Sequence, residues 1–228
     1  MQIADSSYRI MTDIVGRKEE MYNLIEEVGR TCYQSKAKDI EGHGAKFVAA
    51  IVKRKHLGLL EHAAMTVEFS VDRGITHELV RHRHASFAQE STRYCNYSKG
   101  KFGNEITVIN IDGGMDIDPV MAKLTNDEKF EIWLEWKEAC VHAQNSYMRM
   151  LKLGASPQMA RGVLPTSLAS NIKVTANLRE WRHIFALRAL ELTGPVHPQM
   201  LEVMKPLYEE CLAAMPEAFG NIGEADME

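Results

Sequence analysis

AMTVEFSVD, residues 64–72, restricts the fold more than any other stretch of this chain. Met65, Val67, Phe69 and Val71 fall on one side and Thr66, Glu68 and Ser70 on the other. That two-residue period predicts a half-buried strand. LASNIKVTA, 168–176, alternates in the same way, and EITVINI, 105–111, reads as a further strand before an Asp-Gly-Gly break.

The rest of the chain reads as helix. Met21, Leu24, Ile25, Val28 and Cys32 recur at helical spacing and predict an amphipathic helix over 17–33. Phe47, Val48, Ile51 and Val52 mark a second helix that fades near His56. Arg73-Gly74 reads as a turn, and ITHELVRHRHA, 75–85, as a helix. Thr125 and Glu128 form a capping-box pattern ahead of a long helix over 126–152, which Gly154 ends. Ser156-Pro157 predicts a short helix. Asn177 and Glu180 cap another that runs to about Leu192 and stops at Gly194-Pro195, and a last helix spans 198–213. With 228 residues and no flexible linker, the expectation is one α+β domain over 1–228, helix-rich around a small, mainly antiparallel sheet.

Composition excludes several function classes. A net charge of -4 argues against general affinity for nucleic acid. The four cysteines, Cys32, Cys95, Cys140 and Cys211, are far apart and form no CxxC pair, which fits a reducing cytoplasm better than a disulfide framework or a structural zinc site. The opening MQIADSSYRIMTDIVGRKEE lacks a signal-peptide core, and no apolar run is long enough to span a bilayer.

Against that acidic background, RHRHASFAQESTRY, 81–94, concentrates positive charge and hydroxyls. A local basic cluster on an acidic protein points to a small anionic ligand. If 76–86 is helical, Glu78, Arg81, His82 and Ala85 share a face while Arg83 projects elsewhere, so the two arginines could serve two ligands. QESTRY then adds hydroxyls, backbone N–H groups and Arg93, the mixture that suits a phosphate. A solvated helix face is the bland alternative. A metal site at His77, His82 and His84 is a rival, opposed by the flanking arginines, which repel a dication. A second cationic group lies downstream at Arg161, Asn177, Arg179, Arg182, His183 and Arg188. Two such groups favour a site that takes more than one anion.

Arg81-His82-Arg83, seven residues, Ser91, then Arg93-Tyr94 resembles the signature of the flavin-dependent thymidylate synthases. LLEHAAMTVEFSV upstream, with ARGVLP (160–165) and NLREWRHIFALR (177–188) downstream, are similar to that family in order and spacing, so the likeness covers about residues 20–213. It implies homotetramers of α+β protomers with active sites shared between subunits. It also implies FAD bound without a Rossmann fold, in keeping with the absence of GxGxxG here. The implied reaction is reductive methylation of dUMP to dTMP, with 5,10-methylenetetrahydrofolate as carbon donor and NADPH as reductant.

By position, the resemblance assigns His56, Arg81, His82, Arg83, Gln89, Asn177, Arg179 and His183 to the cofactor. It assigns Glu78, Arg81, Gln89, Glu90, Ser91, Thr92, Arg93, Arg161 and Arg188 to dUMP. Arg188 matches the arginine that favours ionisation of uracil N3. The chain departs from some members at Glu78, where they have glutamine, and at Thr92, where they have glycine. No cysteine nucleophile is implied, so Cys95 is incidental. Two other readings are an enzyme of this scaffold acting on another nucleotide, and a nucleotide- or RNA-binding module without chemistry.

Overall fold

The computed structural model describes residues 1–32, 34–35, 42–223 and 226. Its strands are β1 (Gln2–Ala4), β2 (Ser7–Ile10), β3 (Ala64–Asp72), β4 (Ala85–Gln89), β5 (Thr107–Ile109) and β6 (Ala169–Asn177). Its α-helices are α1 (Lys18–Thr31), α2 (His43–Lys53), α3 (Arg73–Leu79), α4 (Asp112–Ile117), α5 (Asn126–Lys152), α6 (Pro157–Ala160), α7 (Leu178–Arg188), α8 (Pro198–Ala214) and α9 (Pro216–Phe219). The architecture is the expected helix-rich α+β arrangement. Four antiparallel strands run in the order β2-β3-β6-β4, and β1 pairs in parallel with β5 apart from them.

The alternation of β3 carries through to the register. Val67 faces Val174 and Phe69 faces Ile172 across the β3–β6 pair. Those residues are buried with Met65, Val71 and Ala176 in one core with α7 and α8. Trp181 of α7 is buried against Phe69 and donates its Nε1–H to the Met65 carbonyl at 2.9 Å. The other face of the sheet stays polar: Glu68 accepts from Arg9 of β2 at 2.6 Å and from Lys173 of β6 at 2.5 Å.

Five sequence expectations are revised. β1 and β2 lie in the opening stretch, which carried no strand signal: seven residues over two short strands give little alternation to count. The helix expected over 75–85 ends at Leu79. Continuing it would place His82 and Arg83 where the helical period needs apolar residues; instead 80–84 turns, and ASFAQ pairs with β6, Phe87 opposite Val174. Glu78, Arg81, His82 and Ala85 therefore do not share a helix face. α7 stops at Arg188, short of Leu192, where Glu191 takes a left-handed φ of 56°. The third strand contracts to 107–109. The first helix stops at Thr31, and Tyr33 of its expected range lies outside the described residues.

Other local signals hold. Thr125 and Glu128 make the reciprocal capping box of α5, and Gly154 beyond its end has φ 96°. Pro157 opens α6. His197, given no role from sequence, caps α8, its Nδ1 accepting from the Gln199 N–H at 3.3 Å.

Candidate active site

The junction of β6 and α7 builds one wall of a cleft. Asn177 ends the strand and caps the helix, its Oδ1 accepting from the Glu180 N–H at 2.8 Å. The cap directs the first turns of α7 so that Arg179, Glu180 and His183 line a cleft of about 320 Å³ together with Glu61, His84 and Asp226. Arg179 donates to Glu61 Oε1 at 2.7 Å. Both side chains are exposed, and an exposed pair is worth at most about 1 kcal/mol, so an incoming anion readily takes the place of Glu61.

A second cleft, of about 480 Å³, opens beside α3, along Arg73, Gly74 and His77. Arg73, His77, Thr92 and Arg161 line it, together with the backbone around Pro165. Thr92 is buried, and its Oγ1 accepts from Arg161 at 3.1 Å. Among the described residues, Nη1 of Arg73 is buried without a hydrogen-bond partner. An unsatisfied guanidinium N–H costs about 1–3 kcal/mol, which an anion oxygen would recover. The donor set of this cleft, two guanidiniums, an imidazole and a hydroxyl, fits a phosphate.

The stretch from His77 to His84 borders both clefts, and behind it α3 and α7 are tied together. Arg188 donates from Nη1 to Glu78 at 2.9 Å and from Nε to His82 Nε2 at 3.3 Å. His82 is only 5% exposed. Burial, then the charges of Arg188 and His183, push its pKa from 6.5 down to about 4. A neutral imidazole that accepts at Nε2 carries its proton on Nδ1, which faces Glu180 Oε1 at 3.8 Å. At that distance and with a neutral ring, this approach is not an ion pair. Burial raises the Glu180 carboxyl, opposed by His183, His84 and Arg179.

The structure thus collects Asn177, Arg179 and His183 at one cleft, Thr92 and Arg161 at the other, and Glu78, His82 and Arg188 between α3 and α7. Arg81, Arg83 and Arg93 are exposed on the turn and loop around them, Arg93 against the Tyr94 ring. Gln89 turns inward, its Nε2 donating to Thr76 at 2.8 Å and Ser170 at 3.1 Å. Glu90 holds Asn171, and Ser91 Oγ accepts from the Arg93 N–H, so both brace the loop that presents Thr92. His56 is exposed after α2 and lines neither cleft.

Sequence reasoning did not single out Glu61, Arg73, Glu180 or Asp226 as site residues. Glu180 was legible only as a cap and Arg73 only as part of a turn. Glu61 and Asp226 carry no local signal, since long-range folding alone brings them to α7.

The sequence profile of the family described as thymidylate synthase complementing protein matches residues 14–217. The chain belongs to the flavin-dependent thymidylate synthase family. It is 33% identical over 175 residues to the flavin-dependent thymidylate synthase of Corynebacterium diphtheriae, covering 74% of this chain and 67% of that protein. It is 31% identical over 225 residues to that of Corynebacterium glutamicum, covering 92% and 81%. A solved UMP/dUMP methylase, PolB from Streptomyces cacaoi bound with 5-Br dUMP, shares the fold at a TM-score of 0.74 and 19% identity, over 96% of this chain and 95% of that one. Among the described residues of this family member, no helix is long and apolar enough to cross a membrane.

Proposed function

We propose that the chain converts dUMP to dTMP, taking the carbon from 5,10-methylenetetrahydrofolate and the reducing equivalents from NADPH through bound FAD, and releasing tetrahydrofolate. The observation that carries this reading is Arg188: α7 delivers it beside the Arg81-His82-Arg83 turn, held by Glu78 and His82 between the two clefts. Its relatives in Corynebacterium diphtheriae and Corynebacterium glutamicum, flavin-dependent thymidylate synthases, support flavin-dependent formation of dTMP.

In this reading Asn177, Arg179 and His183 hold the flavin dinucleotide, Arg81 and Arg83 reach it from the turn with His56 and Gln89 at its margins, and His82 supports it from behind. When bound, the reduced flavin supplies the hydride that brings the transferred carbon to the methyl level. Arg161, Thr92, Ser91 and Arg93 grip the nucleotide, with Gln89 and Glu90 bracing the loop and Glu78 and Arg81 at its inner side. Arg188 donates hydrogen bonds to the uracil ring and stabilises negative charge at N3; a guanidinium keeps its proton, so it acts as a fixed cation and not as a base.

A cleft of about 320 Å³ takes only part of a dinucleotide. The remainder is covered by neighbouring copies in a cytoplasmic homotetramer. The long α5 supports this, burying only Cys140 and Tyr147 along its 27 residues and exposing Phe130 and Ile132.

The test is dTMP formation from dUMP with methylenetetrahydrofolate, NADPH and added FAD under low oxygen. FAD-dependent product is the expected result. Folded, flavin-binding protein that methylates UMP but not dUMP would move the assignment to another nucleotide. A protein that binds no flavin and binds RNA with a steep salt dependence would replace it with a binding module.

A further inference from the structure

We propose that Asp226 is a positioning residue for His183 and thereby sets the shape of the cofactor cleft; this rests on the reading that the cleft receives the flavin. Arg182 and His183 are neighbours on α7 that face different environments. Arg182 is 1% exposed. Its Nε and Nη2 meet Asp226 Oδ1 at 2.5 Å and Oδ2 at 3.0 Å, a bidentate pair. Its remaining N–H groups go to the carbonyls of Ala218, Gly220 and Asn221. Gly223 holds Asp226 as well, its N–H donating to Oδ2 at 2.9 Å and its carbonyl accepting from the Asp226 N–H at 2.9 Å.

Asp226 is held at both ends, because its own carbonyl oxygen lies 2.8 Å from His183 Nδ1. A carbonyl only accepts, so Nδ1 carries a proton and Nε2 is the ring nitrogen left for the cleft. One guanidinium therefore fixes Asp226, and the Asp226 carbonyl fixes the Nδ1 proton and the orientation of a cleft-lining histidine. The same ion pair neutralises a carboxylate that would otherwise oppose an anionic ligand. The family match ends at residue 217, so Asp226 lies beyond the matched range while Arg182 and His183 lie within it.

The experiment is FAD titration by flavin fluorescence on the full chain, paired with the ¹⁵N signals of His183. Asp226→Ala is expected to weaken FAD binding on the order of 10-fold, the scale on which partners that orient a ligand-binding histidine act. It is also expected to remove the Nδ1–H tautomer signature, and to add nothing to His183→Ala in the double variant. Asp226→Asn, which keeps an acceptor for Arg182 Nε but loses the charge, should fall between and carries the test if Asp226→Ala does not fold. Wild-type affinity with an unchanged His183 signal would overturn the proposal. So would an Asp226 effect undiminished in the His183→Ala background. If neither Arg179→Ala nor His183→Ala weakens FAD, the cofactor reading fails instead, and the ¹⁵N signals still decide the clamp.

Discussion

Arg188 has one carboxylate partner and one neutral one. Glu78 balances its charge at 2.9 Å, whereas the His82 lone pair only orients it, at 3.3 Å. In the free chain the guanidinium is therefore aimed and partly neutralised, and a uracil ring acquiring charge at N3 competes with Glu78 for it. Arg188→Ala should leave FAD affinity intact and lower the rate of dTMP formation about 10²–10³-fold, the effect of removing one preorganised donor from developing charge; steady-state kinetics on flavin-loaded protein reads this, and a wild-type rate would remove Arg188 from the mechanism. The exposed ion pair at the cofactor cleft gives the opposite expectation. Glu61 occupies Arg179 at 2.7 Å in the cleft. Glu61→Gln frees that guanidinium and deletes a like charge facing the ligand, so FAD should bind more tightly, by at most about fivefold given the small worth of exposed pairs. Weaker binding in the same titration would show that Glu61 serves the ligand directly.

At the scale of elements, what was legible depended on how local the determinant was. α5 was readable at both ends because a capping box and a glycine with φ 96° are properties of a few adjacent residues. β3 and β6 were readable because nine alternating residues carry enough period to count. β4 was not: Ala85–Gln89 is five residues long, follows a helix by only a five-residue turn, and becomes a strand only through pairing with β6, which is distant in sequence. The same rule divides the site. Arg81, Arg188 and Asn177 stand in a recognisable pattern, while Glu61 and Asp226 reach α7 through tertiary contact alone. Because α5 buries little within its own protomer and nothing in its first turn is buried, local terms should govern the stability of that end. Thr125 Oγ1 accepts from the Glu128 N–H at 3.3 Å, and Glu128 Oε2 accepts from the Thr125 N–H at 2.8 Å. Thr125→Ala should cost about 1 kcal/mol and raise hydrogen exchange selectively over the first turns of α5; uniform exchange across the helix would mean that tertiary packing, and not the cap, holds that end.

For the whole molecule, the tie between α3 and α7 makes stability depend on pH with a definite sign. His82 titrates near 6.5 when unfolded and at about 4 when folded, chiefly because burial disfavours its charged form. Between those values the unfolded chain binds more protons than the folded one. The stabilisation by neutral His82 is therefore fully present above pH 6.5 and is lost progressively as pH falls toward 4. Over that window it amounts to about 3 kcal/mol, since each pKa unit is worth about 1.4 kcal/mol. Glu180 works against this in the wild-type curve, because its burial-raised carboxyl makes the folded state hold protons longer as pH rises. The informative quantity is accordingly the difference between wild type and His82→Gln, in which the titrating ring is gone and the acidic groups remain. Thermal unfolding of both proteins from pH 7 to pH 4 should show the wild-type advantage shrinking with acid by roughly 10 °C, taking about 2–4 °C per kcal/mol for a domain of this size. A difference that stays flat would mean that His82 is not held neutral inside the fold, and that Arg188 is oriented by Glu78 alone.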